Sequence, residues 1–68
     1  MNIVAINVLE AVAITDDGVI VPITNWFDAD GDEVHMPGPF DVVSCVAGNE
    51  SYGWWAIDLG QFEPTPIN

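Results

Sequence analysis

Apolar residues along this chain fall into short runs bounded by turn-forming residues, a pattern that is typical of β-strands. The first run, residues 2–15, is rich in Ile, Val and Ala, and its β-branched side chains favour a strand. Residues 8–13 taken alone are also compatible with a helix. A second β-branched run covers residues 19–27.

The segment between these two runs predicts a hairpin. It reads Asp16-Asp17-Gly18, and Gly accepts a positive φ that Asp also tolerates. The first two strands should therefore pair antiparallel. Pro22 lies inside the second run and cannot donate a hydrogen bond to a neighbouring strand, so we expect an edge or a β-bulge there.

The middle of the chain is rich in turn signals. Residues 28–33 form an acidic turn, and residues 36–39 form an irregular connector. Residues 40–47 indicate a short strand, and the alternative is a short helix near residues 41–47, capped by Asp41 and ended by Gly48.

The last third predicts one aromatic strand. After a turn at residues 48–51, residues 52–59 should be extended, with Trp54 and Trp55 on opposite faces. Residues 62–68 contain two prolines, and we expect no regular structure in them. The resulting fold class is mainly β: a small twisted antiparallel sheet or open barrel of about four strands, forming a single compact acidic domain over residues 1–68.

Charge changes this picture most. The 68 residues include eleven Asp and Glu and no Lys or Arg, giving a formal net charge of −11. At average residue usage, a chain of this length without either base should arise roughly once in several thousand draws. Like charges repel and weaken the compact state, so the composition indicates a purpose other than stability. An anionic surface is repelled by nucleic acid and by anionic lipid, and a basic protein is the expected partner.

Residues that could support catalysis are few. Cys45 lies in an apolar run without nearby cations, which indicates a buried and inert thiol, and a single cysteine fits a reducing cytoplasm. His35 is the only histidine and has no evident partners for a metal site. We therefore expect no enzyme activity, no cofactor and no dedicated metal site. The first residues lack the positive region of a secretory signal, and no stretch is long enough to span a membrane.

The acidic turn supports two interpretations. Asp28, Asp30 and Asp32 resemble the start of a calcium loop, but Glu33 stands where that loop needs Gly and Pro39 where it needs a bidentate Glu. If the turn is extended, alternate side chains stand about 6.6 Å apart and form a row of negative charge that can stand in for phosphates.

We therefore expect the acidic turns to contact a partner, with Trp26 beside them as a possible stacking anchor, although core packing is its expected fate. The expected contact residues are Asp28, Asp30, Asp32 and Glu33 first, then Asp16, Asp17, Glu50 and Trp26.

The absence of Lys and Arg, the short β-rich pattern and the acidic segment at residues 28–33 together resemble phage-encoded anti-CRISPR proteins that act as DNA mimics. The resemblance covers the composition of the whole chain and no specific motif. It implies a monomeric inhibitor in the host bacterial cytoplasm, acting on the surveillance complex of a type I system, with type I-C as one candidate. The site implied is the basic channel that recognises target DNA next to its protospacer-adjacent motif.

Two alternatives remain open from the sequence. One is a small acidic phage structural or accessory protein whose charge only maintains solubility. The other is a weak divalent-cation-binding module built on the turn at Asp28.

Overall fold

The computed structural model describes residues 2–35 and 42–67, and all regular structure within these ranges is β-strand. The strands are β1 (Ile3–Asn7), β2 (Val12–Thr15), β3 (Ile20–Phe27), β4 (Glu33–Val34), β5 (Ser44–Asn49), β6 (Gly53–Asp58) and β7 (Glu63–Ile67). They form one open, curled antiparallel sheet, a half-barrel, with the order β1-β2-β3-β5-β6-β7, and β4 pairs with β3. The predicted mainly β fold is confirmed, with seven strands instead of about four.

The first predicted strand is wrong as a single element, because residues 2–15 fold back into the β1–β2 hairpin. The side chain of Asn7 accepts a hydrogen bond from the backbone N–H of Glu10 at 3.1 Å, which closes the turn. Ala11 completes it with a φ of 55°, a conformation that sequence reasoning assigns to Gly or Asn. Leu9 at the tip is 91% exposed, so the apolar run is interrupted by an exposed turn.

The hairpin at the Asp-Gly pair is confirmed, and it joins β2 to β3. Gly18 has a φ of 87°, and its N–H donates to the carbonyl oxygen of Thr15 at 3.0 Å. Pro22 pairs with β2, whereas pairing of β3 with β5 begins at Ile23 and its register shifts before Asn25. Pro22 thus pairs with a neighbouring strand on one side only and lies next to a register shift in β3, and its missing N–H fits such a position.

The alternative of a short helix near residues 41–47 is wrong over the part that the structure describes. Residues 42 and 43 are irregular, and β5 begins at Ser44; residues 36–41, which include the whole predicted connector and the first two residues of the predicted strand, lie outside the described ranges. β5 also extends to Asn49, so the following turn is shorter than predicted. Antiparallel pairing with both β3 and β6 favours the extended form over a helix.

β6 confirms the aromatic strand, with Trp55 4% exposed and Trp54 37% exposed on the opposite face. The expectation of an irregular tail is wrong, because residues 63–67 form β7 and pair with β6. Pro64 and Pro66 alternate along β7, so both place their nitrogens on the same side, which an edge strand can direct away from its neighbour.

The core lies on the inward face of the curled sheet. Its buried members come from β1, β2, β3, β5 and β6, and Val42 adds one from the segment before β5. They are Ile3, Ala13, Val21, Ile23, Trp26, Val42, Cys45, Ala47, Trp55 and Ile57. The residues that alternate with these core residues along each strand therefore lie on the outward face of the sheet. Over the described residues we find no helix that could cross a membrane.

Candidate functional site

The acidic turn is a compact loop of residues 28–32 between β3 and β4. One carboxylate oxygen of Asp28 accepts hydrogen bonds from the backbone N–H groups of Asp30 and Asp32, both at 3.0 Å. The N–H of Gly31, which has a φ of 85°, donates to the carbonyl oxygen of Asp28 at 3.0 Å. These contacts curl the loop, so the predicted extended row with its wider spacing is wrong.

The curled loop gathers three carboxylates instead. Oxygen atoms of Asp28, Asp30 and Asp32 lie within 4.8 Å of one another. Each such pair of like charges costs on the order of 1 kcal/mol in water. Asp28 is compensated by its two backbone donors, whereas Asp30 and Asp32 remain exposed. The loop thus presents two exposed carboxylates, those of Asp30 and Asp32, that accept none of the hydrogen bonds that shape it.

Glu33 adjoins this loop as the first residue of β4 and pairs with Phe27. Its carboxylate accepts a hydrogen bond from the side-chain amide of Asn25 at 2.8 Å. The other carboxylate oxygen lies 3.6 Å from Nδ1 of His35, which forms an ion pair only when the imidazole is protonated. Glu33 is therefore held in place beside the loop.

Strand register brings two more carboxylates to the same end of the sheet. Phe27 pairs with Ser44, Ser44 with Asp58, and Asp58 with Glu63, forming one row across four strands. Neighbouring strands are about 4.8 Å apart, so Asp58 lies roughly 10 Å from Phe27 along the sheet. We define the acidic end by six residues: Asp28, Asp30, Asp32, Glu33, Asp58 and Glu63.

Asp58 and Glu63 were missed by sequence reasoning, which treated residues 62–68 as irregular. Asp58 accepts hydrogen bonds from the N–H groups of Gly60 at 2.9 Å and Gln61 at 3.2 Å, and it thereby shapes the turn that leads into β7. An Asp followed two residues later by Gly is a turn signal that could have indicated this hairpin.

The secondary candidates lie at the opposite end of the sheet, in the β2–β3 and β5–β6 turns. Asp17 accepts a hydrogen bond from the hydroxyl of Thr15, and Asp16 accepts one from the N–H of Asn2 at 3.3 Å. Glu50 is exposed. We define the opposite end by Asp16, Asp17 and Glu50, which do not join the acidic end.

Trp26 packs in the core and is 7% exposed, which confirms the expectation of core packing. It therefore cannot serve as an exposed stacking anchor. Cys45 pairs with Trp26 across the inward face and is 1% exposed. Burial raises the pKa of its thiol from 9.0 to about 11, so the reactive thiolate is scarce at neutral pH.

The three loop carboxylates are the group of described residues that could approach a metal ion. A calcium site needs six to eight oxygen ligands, and one Asp28 oxygen already accepts two backbone hydrogen bonds. The loop therefore offers an incomplete ligand set by itself.

Comparison of the chain with protein families, with curated proteins and with solved structures finds no match in any of the three.

Proposed function

We propose that this protein is a non-enzymatic inhibitor that occupies a basic, nucleic-acid-binding surface of another protein, with the acidic end as its main contact. One observation carries the proposal: six carboxylates lie at one end of the sheet in a chain that has no Lys or Arg. Such a surface attracts a groove lined with Lys and Arg and has no bases with which to hold DNA itself.

The layout of the acidic end supports mimicry of nucleic acid. Glu33 and Asp58 lie on either side of the pair formed by Phe27 and Ser44, three strand spacings apart. This separation, roughly 14 Å along the sheet, is of the same order as the ~12 Å major groove that lies between two phosphate rows. Carboxylates so placed can pair with the arginines that contact phosphates on both strands.

The proposed target is the surveillance complex of a type I CRISPR system, at the basic channel that recognises DNA next to the protospacer-adjacent motif. The acidic DNA-mimic character of the chain supports this choice, and type I-C is the first system to test. The protein acts as a monomer in the host bacterial cytoplasm. Long-range attraction speeds its association, and Arg–carboxylate pairs at the contact slow its release.

A binding-only mechanism is supported by the position of the sole thiol. Cys45 is buried and its pKa is raised, so it is a poor nucleophile. Inhibition should therefore be stoichiometric with the target and should not increase with time after binding is complete.

The test is a competition titration on the purified type I-C surveillance complex, with the occupancy of labelled target DNA followed directly at several ionic strengths. We expect the inhibitor and DNA to exclude each other. Because DNA releases condensed counterions on binding and protein carboxylates carry fewer of them, the relative potency of the inhibitor should rise with moderate salt. Simultaneous, undiminished binding of both ligands would contradict a shared site.

A further inference from the structure

The outward face of β5, β6 and β7 has a depression that lies outside the acidic loop of residues 28–32. Two rows of cross-strand neighbours border it. The first contains Phe27, Ser44, Asp58 and Glu63, and the second contains Val46, Ala56 and Thr65. The open space between them measures about 330 Å³. It is large enough for one long side chain from another protein.

The lining of this depression combines apolar side chains, the hydroxyl-bearing Ser44 and Thr65, and two carboxylates. Val46, Ala56, Thr65 and Phe27 all line it, and we call the row of the first three its floor and Phe27 its aromatic wall. Asp58 and Glu63 face each other directly across β6 and β7. Like charges in directly opposite positions destabilise a sheet, and this chain has no Lys or Arg to offset them.

This combination selects a particular ligand chemistry. A side chain with a long apolar stem and a cationic head can lay its stem on the floor and pair its head with the carboxylates. Directly opposed residues of an antiparallel pair have Cα atoms about 4.5–5.5 Å apart, so one guanidinium can reach both carboxylates through its several N–H donors. An aromatic wall also favours a planar guanidinium over an ammonium group.

We propose that this depression binds an arginine side chain of the basic partner protein, with its guanidinium between Asp58 and Glu63. A second copy of the chain cannot supply the ligand, because it contains no Lys or Arg and carries the same net charge of −11. The inference rests on the proposed function for the identity of the partner, but the depression and its charge stand independently of which basic protein that is.

Two exposed apolar residues extend the surface beyond the floor. Trp54 and Ile67 pair across β6 and β7 and are 37% and 46% exposed on the same outward face. They lie about 7 Å beyond Ala56 along the strand. A partner segment that inserts its arginine would therefore cover them as well.

The test uses the full chain labelled with ¹⁵N and titrated with the peptide acetyl-Gly-Arg-Gly-amide, followed by amide chemical shifts. The same peptide with citrulline is the matched control, because citrulline has the shape of arginine without its charge. We expect shifts at Ala56, Asp58, Glu63 and Thr65 with the arginine peptide, smaller shifts with a lysine peptide and none with citrulline. Equal shifts with citrulline, or shifts confined to the acidic loop, would overturn the proposal.

A pair of variants sharpens the assignment. Glu63→Gln should weaken arginine-peptide binding about two- to fivefold, whereas Glu50→Gln, which removes the same charge at the opposite end, should leave it within about 1.5-fold. Equal effects would show that only net charge matters and would overturn the site.

Peptide binding at this site with no inhibition of the surveillance complex would contradict the proposed function and leave the arginine site standing. Line broadening that grows with protein concentration at Trp54 and Ile67 would indicate a second copy as the occupant and would overturn the choice of arginine.

Discussion

The two ends of the sheet use their carboxylates differently. At the opposite end, Asp17 accepts a hydrogen bond within the β2–β3 turn, and Asp16 accepts one from Asn2 that ties this turn to the residue before β1. At the acidic end, Asp28 and Asp58 have the corresponding role, because each accepts two backbone N–H groups. The acidic end then carries four more carboxylates beyond those two caps, and the opposite end carries only one. This surplus of charge that shapes no turn is the observation on which the proposed binding role of the acidic end rests.

The largest effect that we expect on stability comes from two glycines at the opposite end, where β5 approaches β6. A Cβ added at Gly48 would lie 2.1 Å from the carbonyl oxygen of Gly53, whereas a Cβ at Gly53 would meet nothing within 4 Å. Gly48→Ala should lower the free energy of unfolding by about 3 kcal/mol or more, and Gly53→Ala by about 1–2 kcal/mol, since only its positive φ opposes the side chain. Urea unfolding of both variants checks this, and equal losses would contradict the close approach of the two strands.

The burial of Cys45 in the core should make the protein less stable at high pH. The pKa of Cys45 is about 11 in the folded protein against 9.0 ordinarily, so the unfolded chain releases this proton first. The part of the free energy of unfolding that comes from this difference in pKa is fully present below pH 9. It is lost as the pH rises toward 11, and the total loss is about 2–3 kcal/mol. Urea unfolding at pH 8 and pH 10.5 measures the loss. Cys45→Ala should show a flatter dependence on pH, and an equally steep fall in that variant would assign the titration to another group.

Within the acidic loop, the turn-shaping role of Asp28 can be separated from its charge. Asp28→Asn keeps an oxygen acceptor and removes one of three crowded charges, so its thermal midpoint should stay level or rise. Asp28→Ala removes the acceptor for two N–H groups as well and should be less stable than the Asn variant by about 1 kcal/mol. If the two variants unfold at the same temperature, the hydrogen bonds do not hold the loop.

Local sequence signals identified the parts of the fold that local chemistry controls. The Asp-Gly hairpin and the alternation of Trp54 and Trp55 follow from φ preference and strand periodicity, and both are present. The β1–β2 turn was missed because Ala11 adopts a positive φ that its sequence does not announce. β7 was missed because alternating prolines are compatible with a strand only at an edge, and edge position depends on the whole sheet.

The candidate site was predictable only in part, for the same reason. The acidic residues of the loop are adjacent in sequence, so their clustering could be expected, although their curled geometry depends on the Asp28 hydrogen bonds. Asp58 and Glu63 reach the same end through the pairing of β3, β5, β6 and β7. The long-range register of β3 with β5 leaves no local sequence signal, whereas the turn signal at Asp58 and Gly60 could have indicated the β6–β7 hairpin.

The central claim, that the acidic end and not net charge alone binds the partner, is tested most directly by a matched charge reversal. Asp30→Lys with Asp32→Lys changes two acidic-end residues that cap no turn, and Asp16→Lys with Glu50→Lys makes the same change in net charge at the opposite end. The measurement is the Kd of each double variant for the purified surveillance complex at one ionic strength. We predict about a 100-fold loss of affinity for the first pair and a change within about threefold for the second. Equal losses in two folded variants would contradict the claim.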